Sequence, residues 1–231
     1  MGCKRKRVED IRFTQGKGQY VDDIKMPGML FGDFVRSPYA HAKVTKIDAT
    51  EALKIPGVIA VLTAEDLKGV NLAWMPTLAG DVQMVLAEGK VLYQNQEVAF
   101  VVAEDRYIAD DAIQLVEVEY EELPVLVDPF KAMDADAPVL REDLEGKTEG
   151  AHGPRKHHNH IFNWSVGDEE GTNKALADGE VTIKEMISYH RTHPSPLETC
   201  QCIASMDKVK GELTVYGTFQ APHVIRTVAS L

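Results

Sequence analysis

Glu97-Val-Ala-Phe-Val-Val-Ala-Glu-Asp-Arg-Tyr-Ile-Ala-Asp-Asp-Ala-Ile-Gln-Leu-Val-Glu-Val-Glu-Tyr-Glu-Glu-Leu-Pro124 decides the fold. Its first seven residues form a near-continuous apolar strand. Asp105 then stands where a helix N-cap belongs, since its carboxylate can accept a first-turn amide. Ile108, Ala109, Ala112, Ile113 and Val116 follow at helical spacing. Val118 to Pro124 returns as a strand whose Glu117 and Glu119 mark the wet face.

Upstream, the same strand–helix mixture continues. Val58 to Leu62 reads as a buried strand. Thr63 is placed to cap the next short helix, with Asp66 at its third position. Ala42 to Asp48 alternates as a half-buried strand, and Met29 to Val35 reads as another. Thr50 is expected to cap a short helix through Lys54, ended by Pro56-Gly57. Pro27-Gly28 fits a tight turn. Residues 18–128 therefore form one α+β domain, preceded by a tail and lead-in over residues 1–17.

Downstream the character changes. Residues 129–180 begin with a Pro- and Gly-containing stretch of little periodicity and read as a linker or extended connection. From residue 181 strands return, over Val181 to Tyr189, Thr199 to Met206 and Leu213 to Phe219. Lys208 to Gly211 turns between the last two, and Pro222 opens a helix containing Val224, Ile225 and Val228. Three strands and part of a helix cannot cover their own apolar faces, so residues 181–231 are expected to be the incomplete start of a second domain. The chain reads as the front of something larger.

With 231 residues, 44% of them hydrophobic, the chain can bury a real core. A formal net charge of -11 disfavours nucleic acid as the main partner. The basic run Lys4-Arg-Lys-Arg7 reads as a solvated tail. No apolar run approaches the ~20 residues of a membrane span, and the charged N-terminus lacks a signal-peptide core. The default location is cytoplasmic. Three cysteines do not make a disulfide framework.

Several constellations carry usable chemistry. His152, His157, His158 and His160 could suggest a metal site, but their spacing matches no closed zinc pattern and favours a polar loop. Cys200 and Cys202 lie two apart on an expected strand, below His190 and His193. Their expected role is core packing, because free cysteines are commonly buried. Asp22 with Asp23, and Glu117, Glu119, Glu121 and Glu122, lack a nucleophile or base to serve. Glu198 reads as an exposed or ion-paired strand entry. Gln220 sits where a strand gives way to a helix, a place where backbone amides and side chains converge on ligands.

A family resemblance is carried by Arg12-Phe-Thr-Gln-Gly-Lys-Gly-Gln-Tyr-Val-Asp-Asp-Ile-Lys-Met-Pro-Gly-Met-Leu30, Arg36-Ser-Pro-Tyr-Ala-His-Ala42 and Trp74-Met-Pro-Thr-Leu-Ala-Gly-Asp81. It continues through His157-His-Asn-His-Ile-Phe162, His193-Pro-Ser-Pro-Leu-Glu-Thr-Cys200 and Gln220-Ala-Pro-His-Val-Ile-Arg226. Across nearly its whole length the chain resembles the N-terminal part of the large, molybdenum-binding subunits of the aerobic carbon monoxide dehydrogenase branch. That branch belongs to the molybdenum hydroxylases, with xanthine dehydrogenase and aldehyde oxidase.

The resemblance implies an N-terminal α/β-hammerhead domain over 18–128 and the first strands of a molybdopterin-binding domain from 181. It implies that Gln220 hydrogen-bonds an oxo ligand of molybdenum, a task suited to a neutral amide that donates without titrating. It also implies a complete enzyme oxidising CO with water, with molybdenum–molybdopterin cytosine dinucleotide and copper as cofactors. Its partners would be an FAD-binding medium subunit and a [2Fe-2S] small subunit, in a dimer of heterotrimers that could sit peripherally at the inner membrane face. No catalytic residue and no metal ligand is assigned within this chain, and Cys200 and Cys202 do not match the family's copper-ligand loop. This fragment alone is expected to hold no cofactor and to be inactive. The alternatives are a related aldehyde or heterocycle hydroxylase subunit, a non-catalytic hammerhead interaction module, or a metal-binding protein using its His and Cys residues.

Overall fold

A computed structural model of the chain describes residues 6–70, 74–76, 82–142, 149–150, 153–154, 157–161 and 165–230. His152, Lys4 and Arg5 lie outside the described residues. The chain divides into two compact units, Leu30–Ile183 and a second formed by Met1–Met29 with Lys184–Leu231. In chain order the elements are α1 (Asp10–Thr14), β1 (Phe31–Arg36), β2 (Ala42–Asp48), β3 (Val58–Leu62), α2 (Ala64–Gly69), β4 (Trp74–Pro76), β5 (Val82–Met84), β6 (Lys90–Val91) and β7 (Glu97–Ala103). They continue with α3 (Arg106–Ile113), β8 (Glu117–Glu122), β9 (Glu149–Gly150), β10 (Gly153–Pro154), α4 (Glu169–Ala177), β11 (Cys202–Asp207), β12 (Glu212–Gly217) and α5 (Pro222–Ala229).

The unit Leu30–Ile183 is built round β7. This strand lies between β1 and β3 in an antiparallel sheet, while β2 lies between β6 and β8 in a second. Ala99 and Val101 of β7 join Val35, Ala52, Ala112 and Val116 in one core. Val98, on the opposite face of the strand, joins Ala42, Ala87 and Val91 in another. Burial on both faces explains the near-continuous apolar run. Ile47 and Val118 pack against both clusters, so the two sheets share one apolar interior. Val98 and Val101 are fully buried, which stabilises by about 1.5–3 kcal/mol each.

Local chemistry sets the boundaries. The Asp105 carboxylate accepts the Tyr107 amide at 2.8 Å and starts α3. The Thr63 amide donates to Asp66 at 2.7 Å, and the Thr63 side chain completes the capping box of α2. Along β8, Glu117, Glu119 and Glu121 are exposed, and Glu121 pairs with Lys43 directly opposite at 3.0 Å. Gly57, before β3, has φ +92, which favours glycine.

Several expectations are corrected. Thr50 does not cap the turn Ala52–Lys54, because Glu51 is its N-cap and the Thr50 amide is taken by Asp48 at 3.0 Å. The stretch 129–180, expected as a connection, includes α4, whose N-cap Asp168 accepts the Gly171 amide at 2.9 Å, and the lead-in 1–17 includes α1; both helices are additions to those readings rather than reversals of them. Val181 to Tyr189 is not in a strand, since no neighbouring strand among the described residues pairs with it. Cys200 and Cys202 are exposed rather than core residues, because no packed layer among the described residues covers their part of the hairpin. Among the described residues, no helix is long and apolar enough to cross a membrane.

Candidate functional site

The site region is the hairpin β11–β12 and the helix that follows it. Cys202 pairs with Gly217 and Asp207 with Glu212, leaving four residues in the turn. The Asp207 carboxylate accepts the amides of Val209 and Lys210 at 3.0 and 3.1 Å. Gly211 closes the turn with φ +71. This is the turn expected at Lys208 to Gly211, and its chemistry sets the register of both strands. Ile203 is the hairpin's buried apolar anchor, while Met206 and Leu213 are about half exposed, at 55% and 53%.

Beyond Gly217 the chain runs through Thr218, Phe219 and Gln220 into α5. Pro222 stands at the start of that helix, where its missing amide costs nothing. The first helical bond runs from Ile225 to the Ala221 carbonyl at 3.1 Å. The positive end of the helix dipole therefore lies beside Gln220. The Phe219 ring rests on Gly217: a Cβ there would stand 2.3 Å from the ring. Thr218 bonds to the facing limb through its amide, which donates to Gln201 at 3.2 Å, and through its hydroxyl, which accepts the Gln201 amide at 3.2 Å.

Gln220 is exposed, and its amide has no hydrogen-bond partner among the described residues. Both donors are free for an external acceptor. A neutral amide beside a helix start suits an oxygen that carries or gains negative charge. The donor set thus fits an oxo-bearing group, and no side chain among the described residues competes for it.

Glu198 is not exposed and has no ion pair among the described residues, whereas the sequence suggested one or the other. It is half-buried and accepts the Val21 amide at 2.9 Å. The sequence gives no sign of this contact, which spans 177 positions. The other candidates are not brought together among the described residues. His193 Nδ1 is engaged by its own loop, accepting the Ser195 amide at 3.0 Å. His157 and His158 touch edge to face with ring centroids 5.0 Å apart, and His157 Nδ1 accepts the Asn159 amide. No group of three potential metal ligands occurs among the described residues. Asp23 accepts the Tyr20 amide, which is a structural role.

Asn159 was missed in the sequence. Its Nδ2 donates to the carbonyls of Ala132 and Pro138 at 3.1 and 2.9 Å, and its Oδ1 accepts the Leu140 amide at 2.9 Å. All three polar positions of the amide group are engaged in holding the loop around residues 132–140. Its setting among histidines hid this role.

The chain is similar to known proteins along its whole length. Residues 15–124 match the family model described as the aldehyde oxidase and xanthine dehydrogenase a/b hammerhead domain. Residues 152–231 match the model of the molybdopterin cofactor-binding domain. The chain is 74% identical over its full length to the carbon monoxide dehydrogenase large chain of Afipia carboxidovorans, covering 29% of that protein. It is 63% identical, over 96% of its length, to the corresponding chain of Hydrogenophaga pseudoflava, covering 28% of that one. The solved structure of reconstituted CO dehydrogenase from Oligotropha carboxidovorans superposes with a TM-score of 0.90 at 73% identity, over 100% of this chain and 29% of that one. The chain thus spans less than a third of the length of the relatives it matches.

Proposed function

This chain belongs to the aldehyde oxidase and xanthine dehydrogenase family, and on that premise we propose that it is the N-terminal part of a molybdenum-containing large subunit that oxidises carbon monoxide. We propose residues 18–128 as its hammerhead domain, 129–180 as the connection and 181–231 as the start of the cofactor domain. The overall reaction is CO + H2O to CO2 with release of two protons and two electrons. Molybdenum–molybdopterin cytosine dinucleotide, with copper, would supply the redox centre of the complete enzyme. Small [2Fe-2S] and medium FAD-binding subunits are the proposed partners, in a dimer of heterotrimers in the cytoplasm.

Within this chain the proposed role falls to Gln220. Its amide donates a hydrogen bond to a cofactor oxygen without adding charge or titrating. The dipole of α5 adds positive potential from the same side. Because both amide donors lack partners among the described residues, binding breaks no existing bond there. That free amide at the strand–helix junction carries the reading. CO as substrate is supported by high identity to two proteins named as carbon monoxide dehydrogenase large chains.

The test is Gln220→Ala in the complete enzyme. Loss of one pre-aimed donor should lower turnover about a hundredfold, with molybdenum content unchanged. Wild-type turnover would remove Gln220 from the site.

A further inference from the structure

We propose that Glu198 is a positioning residue for Gln220, acting as a strap between the N-terminal segment and the limb that carries the strand–helix junction. This rests on the reading of Gln220 given above.

Among the described residues from 165 to 200, every side chain is exposed except Glu198. A carboxylate is the least expected residue to be the half-buried one in such a stretch. Its burial has a specific cause. Glu198 Oε1 accepts the amide of Val21 at 2.9 Å, in a charge-assisted bond. Val21 is the first residue of the short 3-10 turn Val21–Asp23, so its amide has no partner within the turn. Asp23 takes the amide of Tyr20 at 2.9 Å, which leaves Val21 to Glu198.

From Glu198 the connection runs to Gln220 through named bonds. The Thr218 hydroxyl accepts the Gln201 amide at 3.2 Å and donates to the Thr199 carbonyl at 3.4 Å. The Thr218 amide donates to the Gln201 carbonyl at 3.2 Å. Thr218 is thus held to the limb 199–201, which begins next to Glu198. Phe219 is held by its seat on Gly217. Gln220 follows directly, with no side-chain bond among the described residues to hold it. Its position is therefore set by the backbone that Thr218 and Phe219 fix, and that backbone hangs on a limb anchored at Glu198. A donor misplaced by ~1 Å loses most of its effect on rate, on the order of a hundredfold.

The experiment uses the complete enzyme with its partner subunits, checked for normal molybdenum content. Glu198→Ala removes the acceptor. Glu198→Gln keeps an acceptor oxygen on a side chain of the same length. Val21→Pro removes the donor instead. Position 21 opens a turn, and Tyr20 before it is extended at φ -111 and ψ 171, as a residue preceding proline must be. E198A and V21P should each lower turnover about tenfold with KM unchanged, whereas E198Q should stay near wild type. The Mo=O stretching frequency by resonance Raman should shift in E198A and V21P in the direction seen for Q220A, but not in E198Q. In a Q220A background, E198A should cause no further loss.

Wild-type turnover and an unshifted stretch in both E198A and V21P would overturn the strap. A tenfold loss that persists in the Q220A background would also overturn it, because Glu198 would then act by another route. Wild-type turnover in Q220A itself would overturn the underlying reading of Gln220 instead. Should E198A fail to assemble, V21P and the E198Q comparison decide the matter, since both leave a side chain of full length at 198.

Discussion

Gly32→Ala probes the packing that holds β1 on β7. Gly32 is opposite Val102, and the ring of Phe100, diagonally across, leans over it. An added Cβ would stand 2.2 Å from the ring's Cζ, against an ordinary contact of 3.4 Å or more. The ring must therefore retreat by about 1 Å, loosening its contact with Phe34, now at a centroid distance of 4.7 Å. Overpacking of this kind costs ~1–3 kcal/mol. The lower entropy of the unfolded alanine chain returns ~0.4–1 kcal/mol. The net expectation is a loss of about 1–2 kcal/mol. In urea unfolding of the chain followed by circular dichroism, the midpoint should fall by roughly 0.5–1 M with an unchanged slope. The three atoms nearest the new Cβ all belong to the Phe100 ring, so the clash should vanish when the ring does. In a Phe100→Ala background, Gly32→Ala should be neutral or stabilising by up to ~1 kcal/mol. An equal loss in both backgrounds would refute the contact as the cause.

Acid stability should depend on two structural carboxylates. Bonds from Thr50, then from Lys46, hold the Asp48 carboxyl well below its usual range, and the Thr63 amide and hydroxyl lower that of Asp66. Both folded-state values lie below the unfolded ones. Their stabilisation is complete above the unfolded value of ~3.9 and is lost as pH falls through the folded value. An Asp48→Asn, Asp66→Asn double variant should show a flatter acid limb in its urea midpoint, and an unchanged limb would exclude both groups. Asn159→Asp replaces the Nδ2 that donates two bonds with one carboxylate oxygen facing the carbonyls of Ala132 and Pro138. It should cost about 1–3 kcal/mol locally and raise amide exchange at Leu140, whereas unchanged exchange would deny Asn159 its anchoring role.

Much of Leu30–Ile183 was legible because its signals are local. The two caps at Thr63 and Asp105 are each decided by residues at most three positions away. The boundaries of β2, β3 and β7 follow from period and burial within one segment. The helix over Glu169–Ala177 is not legible in the sequence, because the Gly- and Pro-rich opening of that region outweighs the acidic first turn after Asp168. Cys200 and Cys202 misled because burial depends on what covers a strand, which residue type cannot report.

The candidate site divides along the same line. The turn at Lys208 to Gly211 and the helix start at Pro222 are written in the sequence, because aspartate, glycine and proline constrain their own backbones. The position of Gln220 between strand and helix was readable for that reason, and its chemical assignment came from family resemblance. Tertiary structure alone decided that Glu198 reaches Val21, that the Phe219 ring sits on Gly217, and that Asn159 gathers the backbone around 132–140. The contacts of Glu198 and Asn159 join atoms far apart along the chain, and Phe219 finds its seat through the path the backbone takes beyond β12. Sequence determines which groups can donate, accept or pack, whereas the folded path of the backbone determines which of them meet.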